Sequence, residues 1–173
     1  MFRTGDLFVK DELGYLYFKD RMGDSFRWKG ENVSTNELKL NQFASYCTNI
    51  QVEYVISNLT PKKNDVVVFG VKIPFSDGQA GMAVIADDSK TLDLPTLTEG
   101  IKKSLPSYAR PLFLRIVEEI EQTGTHKMKK TDFQKDAYDI SKCSSNIYFL
   151  LNGKYTPLTT ELYDEIVSGK RNL

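Results

Sequence analysis

Residues 20–39 read DRMGDSFRWKGENVSTNELK, and this stretch decides how the chain is interpreted. It holds the only tryptophan, Trp28, beside a glycine, Gly30, that has charged residues on both sides. Ser34 and Glu37 have the spacing of a capping box, which marks the start of a helix. A hairpin that only reverses the chain needs turn residues and alternating faces, but not this much charge at one bend. The stretch is therefore either a solvent-exposed edge without a function or a surface that takes part in binding or catalysis.

The composition is that of an ordinary globular chain. Its 173 residues are 40% hydrophobic and 27% charged, which suits one domain or a small domain with part of another. The 23 basic residues balance the 23 acidic ones, which disfavours a nucleic-acid binder without excluding a local basic patch. No apolar run approaches the roughly 20 residues of a membrane-spanning helix. Cys47 and Cys143 fit no metal spacing and are expected to be free thiols.

Periodicity and turn residues predict a mixture of strands and helices. Strands are predicted at 7–10, 15–18, 26–29, 65–74, 81–86, 112–117 and 147–149, and helices from Thr35, at 95–105, from Thr131 and at 160–167. The second hairpin is expected to turn at Gly30 and Glu31. Strands and helices do not alternate strictly, so the predicted fold class is α+β. The chain enters its first strand almost at once, which favours a start inside a larger protein.

Three charged residues are candidates for chemistry. Asp6 follows a Thr-Gly turn, where a carboxylate can accept from both hydroxyls of a ribose or simply satisfy local amides. Arg21 offers a planar fork of donors for a phosphate, or an ion pair with a neighbouring aspartate. Lys127 lies in the run His126–Lys130, which by composition alone is a solvated basic loop or a nucleic-acid patch.

Together, these motifs resemble the C-terminal signature of adenylate-forming acyl-CoA synthetases. The signature runs through Thr4-Gly5-Asp6, Asp20-Arg21, Lys29-Gly30 with the capping box, and Thr123-Gly124-Thr125-His126-Lys127. The wording FRWKGENVST at residues 26–35 is narrower and resembles the fatty acid transport proteins, or very-long-chain acyl-CoA synthetases. Residues 78–83 and 108–111 also resemble that group. The likeness extends from Arg3 to near the C-terminus.

The resemblance implies a domain plan. Residues 1–20 would end a large N-terminal AMP-binding domain, 21–24 would be the hinge, and 25–173 would form a small C-terminal lid domain. The lid would be a short antiparallel sheet flanked by helices, preceded by a β-hairpin of the large domain. Gly23 and Asp24 occupy the hinge, although relatives usually carry Asp or Lys where Gly23 stands. Residues 38–51 interrupt the family pattern and are expected to be an insertion.

The resemblance also implies a two-step ligase that activates long-chain or very-long-chain fatty acids through an acyl-AMP, in fatty acid uptake and lipid metabolism. Lys127 would stabilise the adenylation transition state, while Asp6 and Arg21 would bind the ribose and phosphate of the nucleotide. Lys29, Gly30 and Glu31 would face the pantetheine arm of CoA after the lid rotates. ATP, Mg²⁺ and CoA would be the cofactors, with Mg²⁺ carried by the ATP phosphates and no metal site in this chain. His126, the only histidine, is not expected to be catalytic.

The implied partners are the small-molecule substrates and the protein's own N-terminal domain, with no nucleic acid. Localisation would be the cytosolic face of the endoplasmic reticulum or plasma membrane, through parts outside this chain, and the chain alone is expected to be inactive. Two rival functions stay open. One is a binding or interaction module that keeps the lid fold without catalysis. The other is a nucleic-acid-binding domain that uses Lys127, Lys129 and Lys130.

Deleting residues 38–51 is expected to leave the α+β domain folded. The deletion joins Glu37 directly to Val52 and restores a Glu-Val-Glu helix start, and loop length changes stability only slowly. Thermal unfolding of the deleted and intact chains should therefore give similar midpoints. Loss of solubility or of cooperative unfolding would show that the segment belongs to the core.

Overall fold

The computed structural model describes residues 6–21, 25–34, 52–121, 130–143, 146–171 and 173. Within them the chain forms strands and helices and one short 3₁₀ helix at Ser107–Ala109. The strands are β1 (Asp6–Lys10), β2 (Leu16–Arg21), β3 (Ser25–Trp28), β4 (Glu31–Ser34), β5 (Val66–Val71), β6 (Ala80–Ala86), β7 (Phe113–Val117), β8 (Asn146–Leu151) and β9 (Lys154–Pro157). The helices are α1 (Val52–Leu59), α2 (Leu94–Ser104), α3 (Thr131–Asp136) and α4 (Thr160–Val167).

The strands form two separate hairpins, β1–β2 and β3–β4, and one five-stranded sheet in the order β5-β6-β7-β8-β9. The α+β class predicted from the sequence is confirmed. The predicted antiparallel sheet is correct for every neighbouring pair except β6 and β7, which run parallel. The exception arises because α2 lies between these two strands in the chain and carries it back across the sheet.

The predicted elements from residue 65 onward are confirmed with small shifts at their ends. Helix α2 begins after Asp93, whose carboxylate accepts from the Thr96 amide. The strand β9 was missed, because Gly153 and its neighbours were not recognised as a hairpin turn. Helix α1 lies within residues 38–63, where the sequence shows no clean helical period. The helix start predicted at Thr35 and the insertion expected at 38–51 lie outside the described residues.

The core is centred on β5, β6 and β7. Its largest fully buried side chains include Phe69, Met82, Ile85, Phe113 and Phe149. Helices α1 and α2 pack against each other, α1 also contacts β5, and α2 contacts β9. Strand β3 contacts both β5 and β6, which adds the second hairpin to this core. Almost every residue of β5 and β6 is therefore buried, and these strands read as continuous apolar runs in the sequence.

Phe26 joins the β3–β4 hairpin to the sheet by resting on two glycines. Gly70 of β5 and Gly81 of β6 are partners across the strand pair. A Cβ atom at Gly70 would lie 2.6 Å from the Cβ of Phe26, and one at Gly81 would lie 3.1 Å from its Cζ. A side chain at Gly70 would therefore clash with the phenylalanine, and one at Gly81 would crowd its ring.

Gly78 fixes the other side of the same hairpin. Its backbone forms a bridge with Trp28, and the amide of Gln79 donates to the carbonyl of Arg27 at 2.7 Å. Gly78 has a φ of 87°, and a Cβ placed on it would overlap the Arg27 carbonyl oxygen. Gly30, at the tip of the hairpin, also has a positive φ, 83°, but a Cβ there would meet no atom of the described part of the chain within 4 Å.

Gly78 and Gly30 allow the cost of an unfavourable φ to be separated from the cost of a steric clash. Gly78→Ala is expected to lower the free energy of unfolding by about 2–3 kcal/mol, because it adds a backbone clash to an unfavourable φ. Gly30→Ala, the matched control, carries the unfavourable φ alone and should cost only about 1 kcal/mol. Urea unfolding of both variants measures the difference. Equal losses would show that the bridge to Trp28 does not hold the hairpin.

Candidate functional site

The first candidate pair, Asp6 and Arg21, lies at one end of the β1–β2 hairpin. The strands pair antiparallel, and Asp6 and Arg21 are direct partners in the backbone register. The register shifts between Leu7 and Phe8, so the ladder is irregular close to this pair. Two residues that the sequence singled out separately are thus brought together by strand pairing.

The second candidate group lies at the tip of the β3–β4 hairpin. The turn residues are Lys29 and Gly30, with φ values of 50° and 83°, and Glu31 already begins β4 opposite Trp28. The predicted turn at Gly30 and Glu31 was therefore one residue too far along the chain. Two consecutive positive φ values are typical of the tight turns that match the twist of paired strands, and they explain the glycine.

Burial separates the anchor of this hairpin from its exposed tip, since Glu31 pairs with Trp28 and shares its face but is exposed at the turn. Phe26, Trp28 and Val33 are buried, whereas Arg27 and Glu31 are exposed. Lys29 is exposed as well, and its Nζ lies 5.9 Å from the centre of the Trp28 ring, within the range of a cation–π contact. The charge that stood out in the sequence is therefore displayed on an outer surface, and the aromatic residues beside it hold that surface in place.

Residues 108–111, which also carry the resemblance, support the scaffold. The Arg110 guanidinium donates to the carbonyls of Leu105 and Lys102, at 2.9 and 3.0 Å, and so satisfies the C-terminal end of α2. The Tyr155 hydroxyl donates to the Pro111 carbonyl at 2.7 Å, and burial raises the pKa of this phenol. This motif links α2 to β9, and the short 3₁₀ helix that overlaps it also contacts β4 of the second hairpin.

The remaining predicted site residues lie outside the described part of the chain. These are Lys127, with its neighbour His126, and the hinge residues Gly23 and Asp24. The last described residue before the Lys127 segment is Glu121, and the first after it is Lys130. Cys143 is described and forms no disulfide, as predicted, whereas Cys47 is outside the described residues.

Lys130 has a role that the sequence did not reveal. Its Nζ donates to Glu53 Oε1 at 2.7 Å, and both side chains are largely buried, with 19% and 18% of their surfaces exposed. Lys130 was considered as part of a basic nucleic-acid patch. The structure contradicts that for this residue, because its ammonium group is engaged inside the domain. In the sequence, Glu53 stood out only as the last residue of the Glu-Val-Glu helix start that joining Glu37 to Val52 would restore.

The described residues offer neither a metal cluster nor a pocket built by the candidate site. No group of three or more acidic, histidine or cysteine side chains among them could hold a metal ion. A hollow of about 280 Å³ is lined by Ile140, Cys143 and Tyr148, among others, and a second lies beside α4. Neither hollow includes a predicted site residue. In addition, no helix in the described ranges has the length and apolarity needed to cross a bilayer.

The chain is similar to a known protein family and to several known proteins. Residues 51–127 match the family described as AMP-binding enzyme C-terminal domain. The chain is 42% identical over 172 residues to long-chain fatty acid transport protein 1 of Mus musculus, covering 98% of this chain and 24% of that protein. It is 43% identical over 173 residues to long-chain fatty acid transport protein 6 of Homo sapiens, covering 98% of this chain and 26% of that protein. The chain thus spans about a quarter of the length of these relatives.

Solved structures show the same fold. A fatty acyl CoA synthetase of Mycobacterium tuberculosis aligns over 80% of this chain and 24% of its own, with 27% identity and a TM-score of 0.53. The anthranilate CoA ligase AuaEII, solved with anthranoyl-AMP, aligns over 81% of this chain and 25% of its own, with 19% identity and a TM-score of 0.56. The second likeness supports the fold alone.

Proposed function

We propose a ligase function for this chain, which belongs to the long-chain fatty acid transport protein family as a C-terminal portion that contains the AMP-binding enzyme C-terminal domain. In this proposal it is part of an ATP-dependent enzyme that converts long-chain or very-long-chain fatty acids to acyl-AMP and then to acyl-CoA. The β3–β4 hairpin carries the proposal: its apolar side is locked onto the sheet, and its charged tip, Lys29 to Glu31, is presented outward.

The proposed domain plan has residues 1–20 ending the large domain, 21–24 as the hinge and 25–173 as the lid. The sheet organisation supports this plan, because, within the ranges that the structure describes, the β1–β2 hairpin shares no strand pairing with β3–β4 or with the five-stranded sheet. The change from one sheet to the next falls between Arg21 and Ser25, where the hinge residues Gly23 and Asp24 stand in the sequence. A hinge between separately paired sheets can rotate without breaking a ladder.

The first half-reaction is the attack of a fatty acid carboxylate on the α-phosphorus of ATP, with release of pyrophosphate. Negative charge builds on the attacking and phosphoryl oxygens, and the ammonium group of Lys127 would stabilise both. Asp6 would accept hydrogen bonds from the ribose, and Arg21 would donate to the nucleotide. Their pairing in the β1–β2 register supports a shared role. Mg²⁺ would arrive on the ATP phosphates.

The second half-reaction is the attack of the CoA thiol on the acyl-AMP carbonyl, with release of AMP. After the lid rotates, the tip of the β3–β4 hairpin would line the path of the pantetheine arm. The open space around Gly30 supports this, since a ligand could pass close to its backbone. Lys29 and Glu31 would border the same path. One domain would thus serve two chemical steps by presenting two different surfaces.

The proposed partners are the fatty acid, ATP, CoA and the protein's own N-terminal domain. The proposed location is the cytosolic face of the endoplasmic reticulum or plasma membrane, with membrane contact made by other parts of the protein. The relatives are named as fatty acid transport proteins, which supports a link between activation and uptake.

Lys127→Ala in the full-length protein that carries this chain tests the proposed function. Formation of acyl-AMP, followed as pyrophosphate release, is expected to fall about 100- to 1,000-fold, because a transition-state cation is lost. Thioester formation from supplied acyl-AMP and CoA should be unchanged. Lys129→Ala removes a neighbouring charge and is the matched control. Equal loss in both half-reactions would contradict the assignment, and absence of ligase activity in the unmodified protein would favour a non-catalytic module.

Gly30→Leu is expected to damage the second half-reaction selectively. A Cβ at this site meets no atom of the described residues within 4 Å, so leucine should project outward into the proposed pantetheine path without disturbing the core. Gly30→Ala is the control, because it carries the same unfavourable φ with little bulk. Leucine should allow acyl-AMP to accumulate, whereas alanine should be mild, and both should show the same small loss of stability. Normal thioester formation by a stable Gly30→Leu protein would show that the turn does not line the path.

A further inference from the structure

We infer that the ion pair between Glu53 and Lys130 is a positioning device, which anchors the end of the segment that carries Lys127 and so supports adenylation. The inference rests on the proposed function for the role of Lys127. The anchor itself stands on contacts among described residues. Neither Glu53 nor Lys130 is assigned a substrate contact, so both act through another residue.

The pair binds three elements together at one point. Glu53 lies in the first turn of α1, Val68 lies in β5, and Lys130 lies directly before α3. Glu53 Oε1 accepts from the Val68 amide at 2.7 Å and from Lys130 Nζ at 2.7 Å, and Lys130 Nζ is also 3.5 Å from the Val68 carbonyl. A carboxylate that accepts from two donors in a largely buried site holds both of them in a defined geometry.

The strand that receives these contacts is at the edge of the sheet. β5 is the first strand in the order β5-β6-β7-β8-β9, so part of its backbone faces away from β6. At Val68 the amide donates to Glu53, and the carbonyl lies beside Lys130. The two side chains therefore complete the hydrogen bonding of an edge strand at this residue. This accounts for a charged pair where an apolar contact would leave backbone groups unsatisfied.

The short length and low burial of helix α3 explain why its N-terminal end needs such an anchor. The helix has six residues, and none of them is buried. The chain that follows it is held by the core, because the Tyr138 ring stacks on Phe113 at 4.4 Å and the Tyr138 hydroxyl donates to the Lys72 carbonyl. Lys130 makes the equivalent attachment on the other side of the helix. The Lys127 segment joins the domain at this point.

Because Lys130 is close to Lys127 in the chain, fixing the position of Lys130 also restricts Lys127. Lys130 follows Lys127 by three positions, and three residues span at most about 11 Å when fully extended. A fixed Lys130 therefore limits the region that Lys127 can occupy. A displacement of about 1 Å at a reacting group can cost on the order of 100-fold in rate. Loosening this attachment should thus reduce adenylation without removing any group that touches substrate.

Glu53→Gln is the test variant, because glutamine keeps the shape and an acceptor for the Val68 amide but loses the charge that holds Lys130. In the full-length protein, acyl-AMP formation should fall about 10- to 100-fold, while thioester formation from supplied acyl-AMP should change less than about twofold. Lys130→Arg keeps the cation and should retain most of the adenylation rate. Glu99→Gln, which removes the exposed pair with Lys102, is the matched control and should leave both steps unchanged.

Two further measurements separate positioning from general stability. In this chain by itself, hydrogen exchange of residues 122–130 should be about tenfold faster in Glu53→Gln, with exchange in β6 and β7 unchanged. The double variant Glu53→Gln/Lys130→Met should adenylate no more slowly than Glu53→Gln, because both changes break one contact. Unchanged exchange at 122–130, equal loss in both half-reactions, or additive losses in the double variant would each overturn the inference. Absence of acyl-AMP formation in the unmodified protein would overturn the proposed function and the adenylation role with it, whereas the exchange measurement decides the anchor independently.

Discussion

The contact between Phe26 and the glycine pair Gly70–Gly81 is the constraint on which the functional surface depends. The two glycines are partners in the β5–β6 register, and a Cβ on either would crowd the phenylalanine. Without this contact the β3–β4 hairpin would be an isolated two-stranded ribbon, which is marginally stable in water. With it, the hairpin becomes part of the main core. The charged tip then has a defined position on the surface of the domain.

This arrangement separates what holds the hairpin from what the hairpin presents. Phe26, Trp28 and Val33 are buried, and the bridge between Trp28 and Gly78 fixes the base of the turn. Lys29, Gly30 and Glu31 contribute little to that packing because they are exposed. A surface that is proposed to meet another domain and a ligand in turn would benefit from this division. The anchor can stay rigid while the tip remains free to make new contacts.

The Glu53–Lys130 pair supplies the same kind of support at a second place. There a largely buried carboxylate connects α1, the edge strand β5 and the start of α3. The two anchors use different physics. The hairpin is held by shape, through an aromatic ring in a gap left by glycines, and the start of α3 is held by a charged hydrogen-bond network at a strand edge. Both lie on β5, and this strand therefore links the two surfaces proposed for the two half-reactions.

The sequence by itself determined most of the element types, the α+β class and the family resemblance, because these depend on local signals. The apolar runs of β5 and β6, the capped start of α2 and the motif FRWKGENVST can each be read within a few residues. The sequence also identified Asp6, Arg21 and Gly30 as candidates, and their proposed roles come from the family resemblance. Only the tertiary structure decided that β6 and β7 run parallel, that Phe26 rests on Gly70 and Gly81, and that Lys130 turns inward to Glu53. Glu53 and Lys130 are 77 positions apart, and no local pattern records which distant side chain will meet a buried charge. Which side chains pair is decided only on folding, because each buried polar group then needs a hydrogen-bond partner.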